Sequence, residues 1–381
     1  MATLHEPTIA TDELRPTHLE VDLARLAENY RVIAQHVAPA RVMPILKANA
    51  YGHGLVEVAR KLEAIGAPYV GVAYLEEGLH LRQQGIRMPV LVMGGLVGWQ
   101  VPRFIEHDLT ITASSVDKLR VIDEHAAVVG RPATVHLKID TGMERIGVHW
   151  YSAEPLLEAS LKCRHVRVEG IFTHFANADG EDLSHARLQL ERFQEVLAFY
   201  ERRSLPMPLR HAANSGAILQ MRDSWFDLVR PGILFYGASP APEVPAAMPV
   251  RQALRWVTRV VYFKVVKPGN QVSYGSSWTP AELTRVVTLP AGYGDGYMSS
   301  MSGKAEVIVH GKRYPVVGRI CMDQMMVSIG WDSAHNGDEA VLLGGEGDHA
   351  ITIEDLAAWA GTIPHEVLTN INTRVPRVYR G

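Results

Sequence analysis

Lys47 closes a short apolar run, Val42 to Leu46, and leads into Ala48-Asn49-Ala50-Tyr51-Gly52-His53-Gly54. An ammonium at the end of a buried strand is costly unless it is paired or used covalently. Desolvation lowers its pKa and prepares the amine to form an imine with a carbonyl. Tyr51 follows closely enough to reach an anion at the same rim. The competing reading is a lysine that snorkels to solvent beside a tyrosine in a turn. Further chemistry-bearing groups are scattered along the chain. They are Lys138 with Asp140-Thr141-Gly142-Met143-Glu144-Arg145, His174, Asn214-Ser215-Gly216, Arg230-Pro231-Gly232-Ile233 and Tyr274. Singly, each has an ordinary explanation: Arg230 in a salt bridge, His174 as a hydrogen-bonded core histidine, Lys138 paired with Asp140, Tyr274 as a strand aromatic.

The elements that must position these groups follow from the hydrophobic pattern. From Leu19 to Pro231 short apolar runs alternate with longer amphipathic ones. The runs predict strands over Val42–Leu46, Tyr69–Ala73, Val90–Met93, Leu109–Ala113, Thr134–Ile139, Val168–Thr173, Leu209–Ala213 and Leu228–Arg230. Helical periodicity is clearest over Glu76–Gln84, Ser115–Val129, Ala153–Lys162 and Asp182–Arg202, several with Ser, Asp or Glu near the start. This alternation predicts a (β/α)8 barrel of the TIM type. An open doubly wound sheet is the alternative, weakened because no Gly-x-Gly-x-x-Gly follows the first strand. In a barrel the site gathers at the carboxyl ends of the strands, with phosphate bound after strands seven and eight. Lys47, Lys138, His174, Ser215, Arg230, Gly232 and Ile233 all fall there. An amine at one side of a barrel mouth and an anion cradle at the other is what pyridoxal phosphate requires.

Four prolines, Pro240, Pro242, Pro245 and Pro249, mark a linker over residues 238–249. Beyond it the pattern becomes strand-like over Val257–Val266, Arg285–Leu289, Ala305–Val309, Tyr314–Val317, Met325–Ile329 and Ala340–Leu343, and two short helices close the chain. Residues 13–240 are therefore expected to form the barrel and 250–381 a mostly β domain. Residues 1–12 are expected to be an extension that packs on the latter.

Composition excludes other classes. With 381 residues, 47% hydrophobic and 21% charged, the chain has an ordinary globular balance. A formal charge of −3 offers no nucleic-acid surface. Two distant cysteines, Cys163 and Cys321, make neither a disulfide framework nor zinc spacing and suit a reducing compartment. The acidic start lacks a signal-peptide pattern, and no apolar run approaches the ~20 residues of a membrane helix. A cytoplasmic location is expected.

Lys-Ala-Asn-Ala-Tyr-Gly-His-Gly after an apolar strand resembles the cofactor-lysine segment of alanine racemases. The resemblance runs from about Leu19 to Arg377 through Thr-Gly-Met-Glu-Arg-Ile-Gly, Val-Ser-Tyr-Gly, Gly-Tyr-Gly-Asp-Gly-Tyr, Cys-Met-Asp and Arg-Val-Pro-Arg. It implies that Lys47 carries pyridoxal phosphate as an imine and serves as one racemisation base, with Tyr274 the opposite base. It implies that Arg145 contacts the cofactor phenol oxygen and the substrate carboxylate. Lys138 matches a lysine often carbamylated in the family, which would orient Arg145. Arg230 faces the pyridine nitrogen, and His174 links it to Tyr274. Tyr51, Ser215, Gly232 and Ile233 hold the phosphate. The Met322 backbone and Asp323 belong to the substrate site, and Tyr293 lines its entrance. The family assembles as a head-to-tail homodimer, so Tyr274, Met322 and Asp323 would come from the partner. The substrate is then a small amino acid, with no nucleic acid and no membrane involved.

The sequence departs from the pattern at Thr373, where some members carry a tyrosine that narrows the pocket; serine then becomes a possible second substrate. Other readings remain at this point. A basic amino acid decarboxylase of the same architecture would place an acid at the pyridine nitrogen and a cysteine at the site; Arg230 opposes it and Cys321 keeps it open. A metal-dependent hydrolase would use Lys138, His174 and His211 as ligands, but His-x-His after strand one is missing. A non-catalytic pyridoxal-phosphate carrier would leave the domain bearing Tyr274 without purpose.

Overall fold

The computed structural model describes residues 15–242, 244, 248–345 and 347–381. The chain divides into two compact units, Leu23–Arg251 and a second made of the amino-terminal segment to Asp22 together with Gln252–Gly381.

The first described strand, β1 (His18–Asp22), belongs to the second unit. It lies between two strands from the far end of the sequence, antiparallel to Leu254–Val257 and parallel to Arg377–Arg380. The barrel expected from residue 13 thus starts at Leu23. The apolar positions of β1, Leu19 and Val21, are buried on the sheet, and sequence adjacency to a helix had disguised this. The proposed extension over residues 1–12 lies outside the described residues.

The Leu23–Arg251 unit opens with α1 (Leu23–Val37) and β2 (Arg41–Val42), followed by a turn, α2 (Lys47–Tyr51), and α3 (Leu55–Ala64). Then come β3 (Val70–Val72), α4 (Leu75–Gln83), β4 (Val90–Val92), α5 (Val101–Glu106), β5 (Thr110–Ala113), α6 (Val116–Val129) and β6 (Ala133–Asp140). The remainder is β7 (Val148–His149), α7 (Glu154–Lys162), β8 (Val166–Phe172), α8 (Ser184–Arg202), β9 (Leu209–His211), α9 (Ser215–Gln220) and β10 (Leu228–Val229). Strands β3-β4-β5-β6-β8-β9 pair in parallel, as do β10 and β2. Two seams close the ring. Leu46 N–H donates to Gly71 O at 2.7 Å and Gly71 N–H to Pro44 O at 3.0 Å. Asp227 N–H donates to Arg210 O at 3.1 Å and Arg230 N–H to Ala213 O at 2.9 Å. The result is the expected (β/α)8 barrel. The first seam is only a single bridge, Ile45↔Gly71, because Pro44 has no N–H to give. Short β7 pairs beside the end of β6 and lies off the ring.

Strand β6 shows how the interior is built. Val135, Leu137 and Ile139 point one way, and His136, Lys138 and Asp140 the other, all buried. Period-two alternation thus puts three titratable side chains on one face of one strand. Helices are fixed at their ends: Ser115 Oγ accepts Lys118 N–H ahead of α6, and Asn214 Oδ1 accepts Ala217 N–H ahead of α9.

The second unit continues with β11 (Leu254–Arg259), β12 (Tyr262–Val266), β13 (Thr284–Leu289), β14 (Glu306–Val309), β15 (Lys312–Val317), β16 (Met325–Gly330), β17 (Glu339–Leu343), α10 (Ile353–Ala360), α11 (Pro364–Asn370) and β18 (Arg377–Arg380). They form a nine-stranded sheet in the order β12-β13-β16-β15-β14-β17-β11-β1-β18, antiparallel except for β1 and β18. The run Val257–Val266, expected as one strand, is two. The chain leaves β17 at Val260, whose N–H goes to Asp338 O, and joins β13 at Val261, whose N–H goes to Thr288 O. Trp256 and Tyr297 meet edge to face in the core of this unit. Among the described residues no helix is long and apolar enough to cross a membrane.

Candidate active site

In the barrel, Lys47 starts a left-handed turn. Ala48, Asn49, Ala50 and Tyr51 have φ of 53°, 57°, 54° and 51°, with no glycine among them. Each such residue costs about 1–2 kcal/mol relative to the right-handed region, so the surroundings must impose the turn. Ala48 N–H donates to Glu77 Oε1 at 2.7 Å, and Leu55 N–H to Asn49 Oδ1 at 2.8 Å. Tyr236 Oη donates to Ile45 O at 2.8 Å just before the turn. The turn sets the Lys47 amine 6.0 Å from the centre of the Tyr51 ring. Burial, then Arg145, lowers the Lys47 pKa, with Glu77 opposing. The direction favours a free amine, the form that attacks a carbonyl.

Lys138 is buried on β6 with its Nζ 4.7 Å from the Phe172 ring centre. Burial and then Arg230 hold its pKa well below the usual value, while Asp140 opposes. Among the described residues no carboxylate lies within ion-pair distance, so the ordinary alternative, a Lys138–Asp140 pair, is not made. Asp140 is engaged elsewhere. Its Oδ1 accepts the N–H groups of Gly142, Met143 and Glu144, and its Oδ2 that of Arg145 at 3.1 Å. Burial alone would raise this carboxyl, but the four donors more than offset it and hold its pKa down. Asp140 is thus the hub of the loop that presents Arg145.

Arg230 is buried at the end of β10. Its guanidinium donates to Thr173 O at 2.7 Å, Ala212 O at 2.9 Å, His211 Nδ1 at 2.9 Å and His174 Nδ1 at 3.3 Å. An arginine only donates, so both histidines accept through Nδ1. Burial, then Arg230, pushes His174 and His211 well below the ordinary imidazole range. Both rings are neutral, and His174 keeps Nε2–H as a donor. Burial brings Arg230 itself down to about 9, still cationic at neutral pH.

The anion cradle forms where β9 and β10 end. Ser215 Oγ accepts Gly232 N–H at 3.0 Å and Leu234 N–H at 3.3 Å. A Cβ on Gly232 would stand 2.6 Å from Tyr51 Oη, so only glycine leaves this hollow open. Ile233 begins the next turn. Tyrosine and serine hydroxyls beside a glycine that leaves the hollow open are chemistry that suits a phosphate. With a depressed lysine amine and a buried arginine in the same barrel, the residues fit pyridoxal phosphate.

In the second unit, Tyr274 sits on a tight turn, 72% exposed. Ser273 before it has φ of 69° and Gly275 after it 68°, and a Cβ on Gly275 would meet Arg319 Cζ at 3.2 Å. Tyr274, Tyr293, Ser299, Ser302, Arg319 and Ile320 line a cavity of about 430 Å³. The Cys321-Met322 carbonyls accept Tyr293 N–H at 3.0 Å and Gly294 N–H at 2.9 Å, which fixes Tyr293 beside Met322. Asp323 pairs with Arg374 at 2.7 Å, and Arg374 and Arg15 both reach buried Asp295. Tyr274, Tyr293, Met322, Asp323 and Thr373 therefore fall in one unit, and the other predicted residues in the barrel.

Sequence reasoning missed Glu77, which carries the lysine turn, and Glu169, Asp295 and Arg319. An i+3 acid at the start of α4 was visible as a capping signal, but its reach to Ala48 was not. His211 had been weighed as a metal ligand. Instead it and His174 face Arg230, and among the described residues no His, Cys, Asp or Glu cluster could hold a metal. Among the described residues no carboxylate pairs with Arg230, whose partners are two backbone carbonyls and two histidines.

A (β/α)8 barrel continued by a mainly antiparallel sheet defines a two-part class of fold. Comparison with known proteins narrows it. Residues 21–240 match the model of the alanine racemase N-terminal domain, and residues 253–379 that of the C-terminal domain. The alanine racemase of Carboxydothermus hydrogenoformans is 43% identical over 96% of this chain and all of its own. Alanine racemase 2 of Caldanaerobacter subterraneus is 41% identical over 97% and 96%. Among solved structures, the alanine racemase from Streptomyces lavendulae superposes with a TM-score of 0.91 at 37% identity, covering 97% of this chain and 98% of its own. That of Clostridium difficile 630 gives 0.90 at 35%, covering 96% of each. The chain belongs to the alanine racemase family.

Proposed function

We propose that this protein is an isomerase, an alanine racemase that interconverts L- and D-alanine with pyridoxal phosphate held on Lys47. The observation that carries the reading is the pairing, in one barrel, of the Lys47 amine at its left-handed turn with the Tyr51–Ser215–Gly232 hollow. Bound there, the cofactor supplies an electron sink that makes the substrate Cα–H acidic. Arg230 would meet the pyridine nitrogen as an obligate donor, which keeps that nitrogen unprotonated and charge near Cα. Tyr51, Ser215, Gly232 and Ile233 would hold the phosphate. Arg145 grips the substrate carboxylate, aided by the Met322 backbone and Asp323, with Tyr293 at the entrance. Burial lowers the Lys138 pKa toward the free amine that takes up carbon dioxide; as a carbamate it would orient Arg145.

Lys47 Nζ and Tyr274 Oη exchange the proton on opposite faces of Cα, each as acid in one direction and base in the other. His174 Nε2–H links the Arg230 cluster to the tyrosine. The open exposure of Tyr274 supports its service to a neighbouring barrel, so the working form is a head-to-tail homodimer in the cytoplasm. The D-alanine made there supplies cell-wall peptidoglycan. Thr373 in place of a tyrosine favours some activity on serine. Purified protein should show the cofactor's imine absorbance and racemise alanine; a colourless protein that neither binds pyridoxal phosphate nor racemises any amino acid sinks the reading.

A further inference from the structure

Arg230 is a buried cation that no described carboxylate touches, yet a path of hydrogen bonds leads from it to one. His211 accepts from Arg230 through Nδ1, so its own proton is on Nε2. His211 Nε2 lies 2.8 Å from His136 Nδ1, which must accept. His136 then carries its proton on Nε2, 3.2 Å from Glu169 Oε2. Tyr69 Oη donates to the same oxygen at 2.7 Å, and Thr110 Oγ1 backs Tyr69. The line begins at a group that can only donate and ends at one that can only accept, which fixes every proton between them.

The strand geometry is shaped for this line. Val135 pairs with Val168 but His136 pairs with Gly170, so Glu169 is the extra residue of a β-bulge in β8. Bulges re-aim a side chain. A Cβ on Gly170 would stand 2.6 Å from His136 Nδ1, so the ring fits only because that residue is glycine. Phe172 stacks on His211 with centroids 4.7 Å apart and planes 6° apart. The electrostatics agree. Burial pushes both histidines to the neutral form, and the His136 hydrogen bond leads the groups that pull Glu169 down to about 2.

We propose that Glu169 is a positioning residue for Arg230: through His136 and His211 it anchors the guanidinium and fixes the proton on both rings. The inference rests on the role assigned to Arg230 at the cofactor's pyridine nitrogen. Its test reads the rings directly, so it can fail separately. The full chain, labelled with ¹⁵N-histidine and studied with and without pyridoxal phosphate, should show both rings neutral with protons on Nε2 in long-range ¹H–¹⁵N spectra. His136→Gln and His211→Gln variants assign the signals. In Glu169→Leu both rings should change, and kcat for alanine should fall about tenfold with KM within about twofold. Glu169→Gln keeps an acceptor oxygen and should restore the ring signals and most of kcat. A proton on Nδ1 of either ring in the unaltered protein overturns the proposal. So do His211 signals that ignore Glu169→Leu, or ring changes that leave kcat untouched. If Glu169→Leu does not fold, the unaltered spectra and Glu169→Gln decide. A chain without cofactor absorbance or racemisation would instead defeat the functional reading and leave the ring spectra interpretable.

Discussion

Glu77 Oε1 accepts the backbone N–H of Ala48 at 2.7 Å, while its Oε2 accepts those of Ala73 and Tyr74 at 2.8 and 3.2 Å. One carboxylate of the second β/α repeat thus clamps the strained lysine turn of the first. Glu77→Ala removes the acceptor of three N–H groups, two of them exposed enough to bond water, so the loss is about 0.5–1.5 kcal/mol for each bond. Urea unfolding should show a loss of that order, and pyridoxal phosphate should be released more readily. If cofactor affinity holds while stability falls, Glu77 does not position Lys47. Ala48→Gly should act the other way and add about 1 kcal/mol, since glycine accepts the positive φ without strain.

Lys47→Ala removes the group that carries the cofactor and one of the two proton carriers. The imine absorbance should vanish, and racemisation should fall by at least the ~10²–10⁴ of a positioned proton transfer. Retained colour after borohydride treatment and unchanged rates would refute the assignment.

Specificity is expected to turn on Thr373. An apolar pocket rejects one added hydroxyl only weakly, on the order of 10²-fold. Thr373→Tyr should raise the ratio of kcat/KM for alanine over serine. An unchanged ratio removes Thr373 from the specificity argument.

A shared site has an arithmetic signature. Lys47→Ala and Tyr274→Phe chains should each be nearly inactive alone. Unfolded together and refolded, about half the dimers should be mixed, each with one intact site, so roughly a quarter of the activity should return. Mixed dimers without activity would mean that both bases belong to one chain.

Acid stability offers a further check. Glu169 is held at about 2 in the folded chain, below its ordinary 4.5. A depressed carboxyl stabilises the fold above its unfolded pKa and loses that contribution as pH falls through the folded one. Glu169→Gln should therefore be less stable than the unaltered protein at pH 6. The gap should close between about pH 4.5 and 2; a gap constant across that window would show that the charge contributes nothing.

Much of the barrel was legible because parallel strands buried on both faces write themselves as apolar runs. Lys138 and Asp140 were legible at one strand end, but His136, two residues earlier on the same face, was not, because a lone buried histidine carries no motif. The left-handed turn was not, since Ala48, Asn49 and Ala50 are ordinary helix or turn residues and the constraint comes from Glu77, far away in sequence. Nor was the line from Arg230 to Glu169. It depends on a register shift of one residue, and on a glycine whose lack of a side chain matters only once a ring lies against it. The break at Val260 was hidden because both halves of the run are apolar, while the change of neighbours is decided by Asp338 and Thr288.

Strand β1 is made well before its partners: Val257 pairs with His18, and Arg377 pairs with Leu19. The barrel is complete in sequence long before either arrives. During synthesis β1 must therefore wait as an unpaired apolar strand, the kind of edge that recruits strangers. Strand β18 finishes a sheet to which β1 belongs, so deletion of β18 should be felt at β1. A chain stopped before β18 should bind an amyloid-type dye or a chaperone through His18–Asp22, even with its barrel folded.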